Sequence, residues 1–375
     1  MDVNSNIFFL KESKDNLKIS CAICIIFLLL SLGAKATQMT IDLPQWKMST
    51  IDNTPSLRAS GIYKNSLWVA GTNNSIFVSH NGGTSWQNRS ISSEILYDFR
   101  DIEVFDENTA IVMGAGSGKK SVLFITQDGG NHWKLLNQNQ EEKGFYNSIG
   151  FWNKKNGLLL GDPLDGYYVI KRTVDGGKTW SRVEKNNLPA ILDNESAFAA
   201  SGNTLIVGEN GKAWFTTGGK QASLYISSNY GENWQRIKLP LFDETLTAGG
   251  YGLYQYQGNA FVLGGDYKNR SGKYKNLSLV KGDEVFSLRS GNRGLRTAMS
   301  CIKSICIITG KLSSDVSFNY GMTWQPLKNN KNDIGFYTIA SNNELFLGAG
   351  SDGKVGVFSL KRKENSPVGN SRLRM

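Results

Sequence analysis

Three arginines, Arg58, Arg100 and Arg296, fall at equivalent points of a repeated sequence, and three carboxylates, Asp162, Glu195 and Asp266, lie near the corresponding points of other repeats. Guanidinium groups gathered in one place repel each other unless an anion compensates them, so a convergence of three would make a site for a carboxylate or another anion. Two carboxylates about 5 to 9.5 Å apart are instead the minimum for glycoside hydrolysis. A third arrangement does neither chemistry: the acids pair with the arginines and seal a rim. Aligned repeats place Arg58, Arg100, Asn147, Ser196, Tyr251, Arg296 and Phe336 at the entry to successive innermost strands. The acids come from Gly161-Asp162-Pro163-Leu164-Asp165-Gly166 and Gly264-Gly265-Asp266-Tyr267, with Glu195 entering the fourth repeat.

What must position these groups is set by one phrase, [ST]-x-[DN]-x-G-x-x-W, which occurs five times, beginning at Ser79, Thr126, Thr173, Ser227 and Ser317. Asp or Asn bonding its own backbone, a glycine at positive φ and a packed tryptophan describe a tight turn between two strands. The starts lie 47, 47, 54 and 90 residues apart. The last interval is two periods of about 45, so one repeat has lost its signature, near Asn276-Leu277-Ser278-Leu279-Val280-Lys281-Gly282-Asp283. A seventh repeat, Leu345 to Gly348 and Val355 to Ser359, ends without its tryptophan, and Trp46-Lys47-Met48 resembles the strand that follows each phrase elsewhere.

Four short strands per period predict an all-β, seven-bladed β-propeller of four-stranded blades, closed by an N-terminal strand completing the last blade. The repeated turns then sit on one face and are structural, with His80 and His132 as ordinary surface residues. The strand entries and the turns joining second strands to third strands reach the other face. The glycine-rich stretch from Gly208 through Gly219 reads as an insertion on that same face. It lacks a phosphate-loop lysine and a following helix, which argues against a nucleotide site.

Lysines at 11, 14 and 18 precede an apolar run from Ile19 to Leu32, followed by Ala34-Lys35-Ala36. This pattern predicts a secretory signal over residues 1–36, cleaved after Ala36, and a periplasmic or secreted protein. The propeller is expected over 37–360 and a basic, disordered tail over 361–375. Removing the signal takes the formal charge from +10 to +9, which favours anionic partners: an acidic protein segment, a membrane protein under assembly or an anionic glycan rather than nucleic acid. Cys21 and Cys24 leave with the signal. Cys301 and Cys306 remain across a short hairpin, where either a disulfide or two buried thiols is compatible with the sequence. Two histidines and this pair of cysteines make no metal site, and no cofactor fingerprint is present.

The repeated phrase is identified as the Asp-box, or BNR, motif of sialidases, sortilin-type receptors and xyloglucan-degrading enzymes, which implies the fold without choosing the function. Where a sialidase carries Arg-Ile-Pro, this chain has Arg58-Ala59-Ser60, and no Tyr/Glu nucleophile pair is evident. A closer resemblance rests on several motifs. They are Ser56-Leu57-Arg58, Leu67-Trp68-Val69-Ala70-Gly71, Asp98-Phe99-Arg100-Asp101, Gly161-Asp162-Pro163, Ala197-Phe198-Ala199-Ala200-Ser201-Gly202 and Trp214-Phe215-Thr216-Thr217-Gly218-Gly219. These resemble the photosystem II stability/assembly factor-like family of seven-bladed propellers. In photosynthetic members the resemblance implies a lumenal chaperone that binds an assembling membrane protein through an arginine-bearing surface.

The resulting expectation is an exported, monomeric binding or assembly module using Arg58, Arg100 and Arg296, with Asp162, Asp266 and Tyr267 beside them. The competing expectation is a glycoside hydrolase of sialidase-like architecture using Asp162, Glu195 or Asp266. Asn81, Asn229 and Asn319 stand where the motif has Asp, which suggests drift in those turns.

Overall fold

The computed structural model describes residues 45–360 except 283, 289 and 290. The expected signal peptide with Cys21 and Cys24, residues 37–44 and the expected basic tail lie outside the described residues. The remainder is all-β, interrupted by three short 3-10 turns. Seven antiparallel sheets form the blades, and their innermost strands are Leu57–Tyr63, Asp98–Val104, Tyr146–Phe151, Leu205–Val207, Ala248–Tyr256, Ala298–Ile302 and Thr338–Ser341. Blade 7 takes its outer strand from the start of the propeller: Lys47–Thr50 pairs antiparallel with Lys354–Ser359, Lys47 opposite Val357. Trp46 seals this closure, its ring 4.8 Å from Phe336 and 5.3 Å from Phe358.

Each Asp-box turn is held by the same three hydrogen bonds. In the first, the Ser79 hydroxyl donates to Asn81 Oδ1 at 2.9 Å and accepts from the Gly83 amide at 2.9 Å, while Asn81 Oδ1 accepts from the Ser85 amide at 3.0 Å. Thr126, Thr173, Ser227 and Ser317 repeat the pattern with Asp128, Asp175, Asn229 and Asn319. These three bonds use only one acceptor oxygen of the third residue, which Asn supplies as well as Asp; the second oxygen of Asp128 and Asp175 bonds the His132 and Thr179 side chains, where Asn81 and Asn319 instead donate to Ser85 and Thr323. The Asn-for-Asp exchanges therefore leave this network intact, and no drift in geometry accompanies them. Gly83 has φ +80, and a Cβ there would lie 2.6 Å from Val357 Cγ2. The glycine of the phrase thus lets the turn of blade 1 press against blade 7.

Blade 5 has lost the phrase: only two residues separate its last two strands, Leu277–Lys281 and Glu284–Ser287, too few to hold it. The glycine-rich stretch divides between the two faces. Gly208 to Lys212 forms the turn between the first two strands of blade 4, and the Gly211 carbonyl accepts from Tyr230 in the Asp-box turn. Gly218–Gly219 lies at the other face, pairing with Glu195–Ser196 and with Gly249 at the start of blade 5. Cys301 and Cys306 are directly opposed on the hairpin of blade 6, Cα atoms 4.0 Å apart, and form a disulfide.

Candidate functional site

The axial mouth opposite the Asp-box turns is a cavity of about 490 Å³ to which all seven blades or their connections contribute. What aims side chains into it is a recurring irregularity of the innermost strand. In blades 1, 2, 3 and 5 the pairing register shifts by one residue at Arg58, Arg100, Asn147 and Tyr251. A bulge of this kind leaves one residue unpaired and re-aims its side chain. All four line the cavity.

In blades 6 and 7 the residue one position further on fills that role. Thr297 and Tyr337 line the mouth, whereas Arg296 is buried in blade 6 and Phe336 in the core beside Trp46. A slip of one residue along a strand turns a side chain to the opposite side. Arg296 therefore does not join Arg58 and Arg100. It is ion-paired with Asp315 and donates to the Ser313 carbonyl at 2.6 Å, and burial pushes its guanidinium down to about 10 against the opposing pull of Asp315. Ser196 is also displaced, because the innermost strand of blade 4 begins only at Leu205. The segment before it, Ala197 to Ala200, is laid across the mouth instead.

That segment ties distant blades together. Arg100 donates to the Ala199 carbonyl at 2.7 Å, and the Ser201 hydroxyl donates to the Thr297 carbonyl of blade 6 at 3.0 Å. Phe198 stacks on Tyr251 with centroids 4.5 Å apart and meets Tyr267 edge-on at 6.4 Å. Beneath it, two acids of blade 2 cover the inner edge of blade 3. Asp101 accepts from the Ile149 amide at 2.8 Å and the Ser148 hydroxyl at 2.9 Å, and Glu103 accepts from the Phe151 amide. Burial raises Asp101 to about 7, and burial reinforced by Asp101 raises Glu103 to about 8.

The cations at the mouth are Arg58, Arg100, Arg270 and Lys311. Asp98 takes both Nε and a terminal nitrogen of Arg100, at 2.8 and 2.7 Å, and stands 3.7 Å from Arg58 Nε. One carboxylate is thus shared unequally by two arginines. Arg58 Nε finds no hydrogen-bond partner among the described residues, and its guanidinium lies 4.9 Å from the centre of the Tyr337 ring. Burial and the neighbouring Arg100 lower its pKa, with Asp98 and Tyr337 opposing. Lys311 reaches the same tyrosine ring at 5.8 Å. Neither Arg270 nor Lys311 forms an ion pair among the described residues.

Of the three carboxylates singled out in the sequence, only Asp162 lines the cavity, where burial raises its pKa against a 2.7 Å hydrogen bond from Asn147. Glu195 is buried, accepting from the Thr217 hydroxyl at 2.6 Å, the Tyr225 hydroxyl at 3.1 Å and the Leu192 amide at 2.9 Å. Asp266 is taken up by Thr247 at 2.7 Å, Thr245 at 2.9 Å and the Lys268 amide at 2.8 Å. Burial would raise it, but these hydrogen bonds together hold it below the ordinary value. Both acids organise loops of the mouth face rather than the cavity wall. Tyr267 does reach the wall.

Arg270, Lys311, Phe198 and Tyr337 join the wall beyond the residues that the repeat alignment points to. Lys311 occupies the turn between the second and third strands of blade 6, a position class that includes Asp162. Arg270 sits in a run of bases without an acid, Lys268 to Lys275. The turn position and the basic run are visible in the sequence, whereas Tyr337 depends on the strand register.

The family model described as "Photosynthesis system II assembly factor YCF48" matches residues 116–235. No curated protein matches the sequence. Among solved structures, "YCF48 bound to D1 peptide" is 17% identical, with a TM-score of 0.61, covering 85% of this chain and 100% of that one. YCF48 from Cyanidioschyzon merolae is 16% identical, with a TM-score of 0.63 and coverage of 84% and 99%. An inactive virginiamycin B lyase from Staphylococcus aureus, solved with quinupristin, reaches a TM-score of 0.64 at 10% identity, covering 84% of this chain and 100% of its own. The chain is a BNR-type propeller resembling the photosystem II assembly factor. At these identities the structural likeness carries the fold, which assembly factors and enzymes share.

Proposed function

We propose that the chain is an exported, monomeric binding or assembly module whose axial mouth takes a protein segment bearing acidic side chains or a terminal carboxylate. The observation that carries this reading is the charge of the mouth: four cations, Arg58, Arg100, Arg270 and Lys311, against Asp98 and Asp162. Asp98 gives Oδ2 to Arg100, while Oδ1 faces Arg58 Nε at 3.7 Å without a hydrogen bond. Arg58, Arg270 and Lys311 are the groups left to meet an anion, and a charge-assisted bond to each is stronger than a neutral one. The aromatic wall of Phe198, Tyr251, Tyr267 and Tyr337 suits the apolar parts of a peptide. The D1 peptide bound by one structural neighbour supports a peptide as the kind of ligand.

Binding rather than glycoside hydrolysis is favoured because Asp162 stands in the cavity without Glu195 or Asp266. The test is fluorescence anisotropy of an acidic peptide against the same peptide with Gln and Asn for its acids. Arg58→Ala with Arg270→Ala is expected to weaken the acidic peptide roughly 30- to 150-fold, removing two charged contacts of about 1 to 1.5 kcal/mol each. Equal affinity for both peptides, or an unchanged affinity in the double variant, overturns the reading. An oligogalacturonide that binds more tightly than the peptide would reassign the mouth to an anionic glycan.

A further inference from the structure

We infer that the mouth face carries a second recognition surface, centred on the long connection of blade 5, that docks on an anionic lipid bilayer. The connection runs from Tyr267 to Asn276, ten residues between strands Asn259–Asp266 and Leu277–Lys281. The corresponding connections of the other blades have two to six. It carries Lys268, Arg270, Lys273 and Lys275 and no acid, together with Tyr267 and Tyr274, which are 42% and 60% exposed.

Its base is fixed, so these side chains are presented rather than loose. Asp266 takes the Lys268 amide at 2.8 Å, the Leu295 amide donates to the Arg270 carbonyl at 2.9 Å, and the Phe242 amide donates to the Lys275 carbonyl at 2.9 Å. Beside it stand Leu246, 57% exposed, and the turn Lys311-Leu312, whose leucine is 52% exposed. The neighbouring connection supplies the counter-charges Asp243 and Glu244. Five cations face two acids, and none of the seven forms an ion pair among the described residues.

Basic side chains mixed with exposed tyrosine and leucine are the chemistry of a bilayer interface. Lysines meet anionic headgroups, and amphipathic rings and aliphatic tips enter the boundary. The bias extends over the face: Ile95, Leu96, Leu246, Tyr267, Tyr274 and Leu312 all sit on its connections, half of the twelve large apolar side chains that are well exposed among the described residues. Leu246, Tyr274 and Leu312 stand outside the Phe198, Tyr251, Tyr267 and Tyr337 wall that the mouth offers a peptide, so a segment held in the cavity gives no reason for these apolar tips. Docking through this surface would turn the mouth toward the membrane.

The experiment is cosedimentation of the protein with phosphatidylcholine vesicles, with and without phosphatidylglycerol, at low and high salt. Partition onto the mixed vesicles, suppressed by salt, is expected. The variant Lys268→Gln/Lys273→Gln/Lys275→Gln should lose it by on the order of 100-fold, since each basic residue near such a surface is worth about 1 kcal/mol. Leu246→Ser with Tyr274→Ser should weaken partition while keeping its salt dependence. The N-terminal segment is common to all these proteins, so only differences between them are read. The mouth residues Arg58, Arg100 and Asp162 are untouched, so peptide affinity is expected to persist in both variants. Mixed-vesicle binding equal in wild type and triple variant overturns the inference, as does equal binding to pure phosphatidylcholine. Loss of acidic-peptide affinity with unchanged vesicle binding would assign the loop to the protein segment instead.

Discussion

The two faces of the propeller are built by opposite rules. On the Asp-box face five turns repeat one hydrogen-bond pattern, and exchanging Asp for Asn leaves the acceptor oxygen in place. On the mouth face the bulge position holds Arg, Arg, Asn and Tyr in blades 1, 2, 3 and 5, and blade 4 sends Ala197 to Ala200 across the opening. Repetition maintains the ring, whereas departures from it create a cavity with its own charge and shape. An arginine near the mouth is therefore a recognition residue only if its register brings it to the cavity wall.

Arg296 is the sharpest test of that rule and carries the largest expected effect. It lies one residue before the cavity-lining Thr297, yet is fully buried against Asp315. Arg296→Met would leave that carboxylate with Arg293 as its remaining cation. Breaking a buried pair from one side costs about 3 to 5 kcal/mol, read as a lower urea midpoint. Affinity of the folded fraction for the acidic peptide should not change. A loss of affinity without a loss of stability would place Arg296 among the ligand contacts and break the distinction between the two kinds of arginine.

The part of the molecule legible in the sequence follows the same division. Seven blades, the closure beginning at Trp46 and the lost signature in blade 5 could be read because a repeat states its geometry many times. Arg58 and Arg100 could be placed because their bulges recur at one register. Arg296 and Phe336 could not, since a one-residue offset is invisible when a repeat is aligned by its apolar pattern alone. Glu195 escapes for a different reason: blade 3 and blade 4 are separated by a long connection, and its short strand looks like the start of the next repeat. Asp266 has the right address but is consumed by Thr245 and Thr247, partners that no motif announces.

An effect that develops with pH tests where the recognition surface ends and the ring begins. Asp101 follows Arg100 in sequence but covers the backbone of blade 3. Its pKa, pushed by burial from 3.8 to about 7, means that the folded chain binds more protons than the unfolded one between those values. Stability should therefore fall as pH rises through that window and stop falling above it on this residue's account. Asp101→Asn keeps an oxygen for the Ile149 amide and should flatten the fall, with a residual slope from Glu103. Urea midpoints from pH 4 to 8 check the sign. An unchanged profile would mean that Asp101 titrates as an ordinary exposed carboxylate.

The smallest effect belongs to the most repeated part. In Asn229, Oδ1 accepts from the Ser227 hydroxyl at 3.0 Å and from the Asn233 amide at 3.0 Å, which is all the turn requires of it. Asn229→Asp preserves both bonds, so stability at neutral pH should move by no more than about 0.5 kcal/mol. The two natural aspartates show what the exchange would add. Asp128 is lowered to about 2, first by the His132 backbone amide, and Asp175 to about 2, first by the Thr179 hydroxyl. A carboxylate depressed in this way contributes stability above its unfolded pKa and loses it as pH falls toward the folded value. The variant should therefore match wild type near neutrality and fall behind only in acid. A large loss at neutral pH would show that the turn discriminates between Asn and Asp after all, and the interchangeability that separates this face from the mouth would fail.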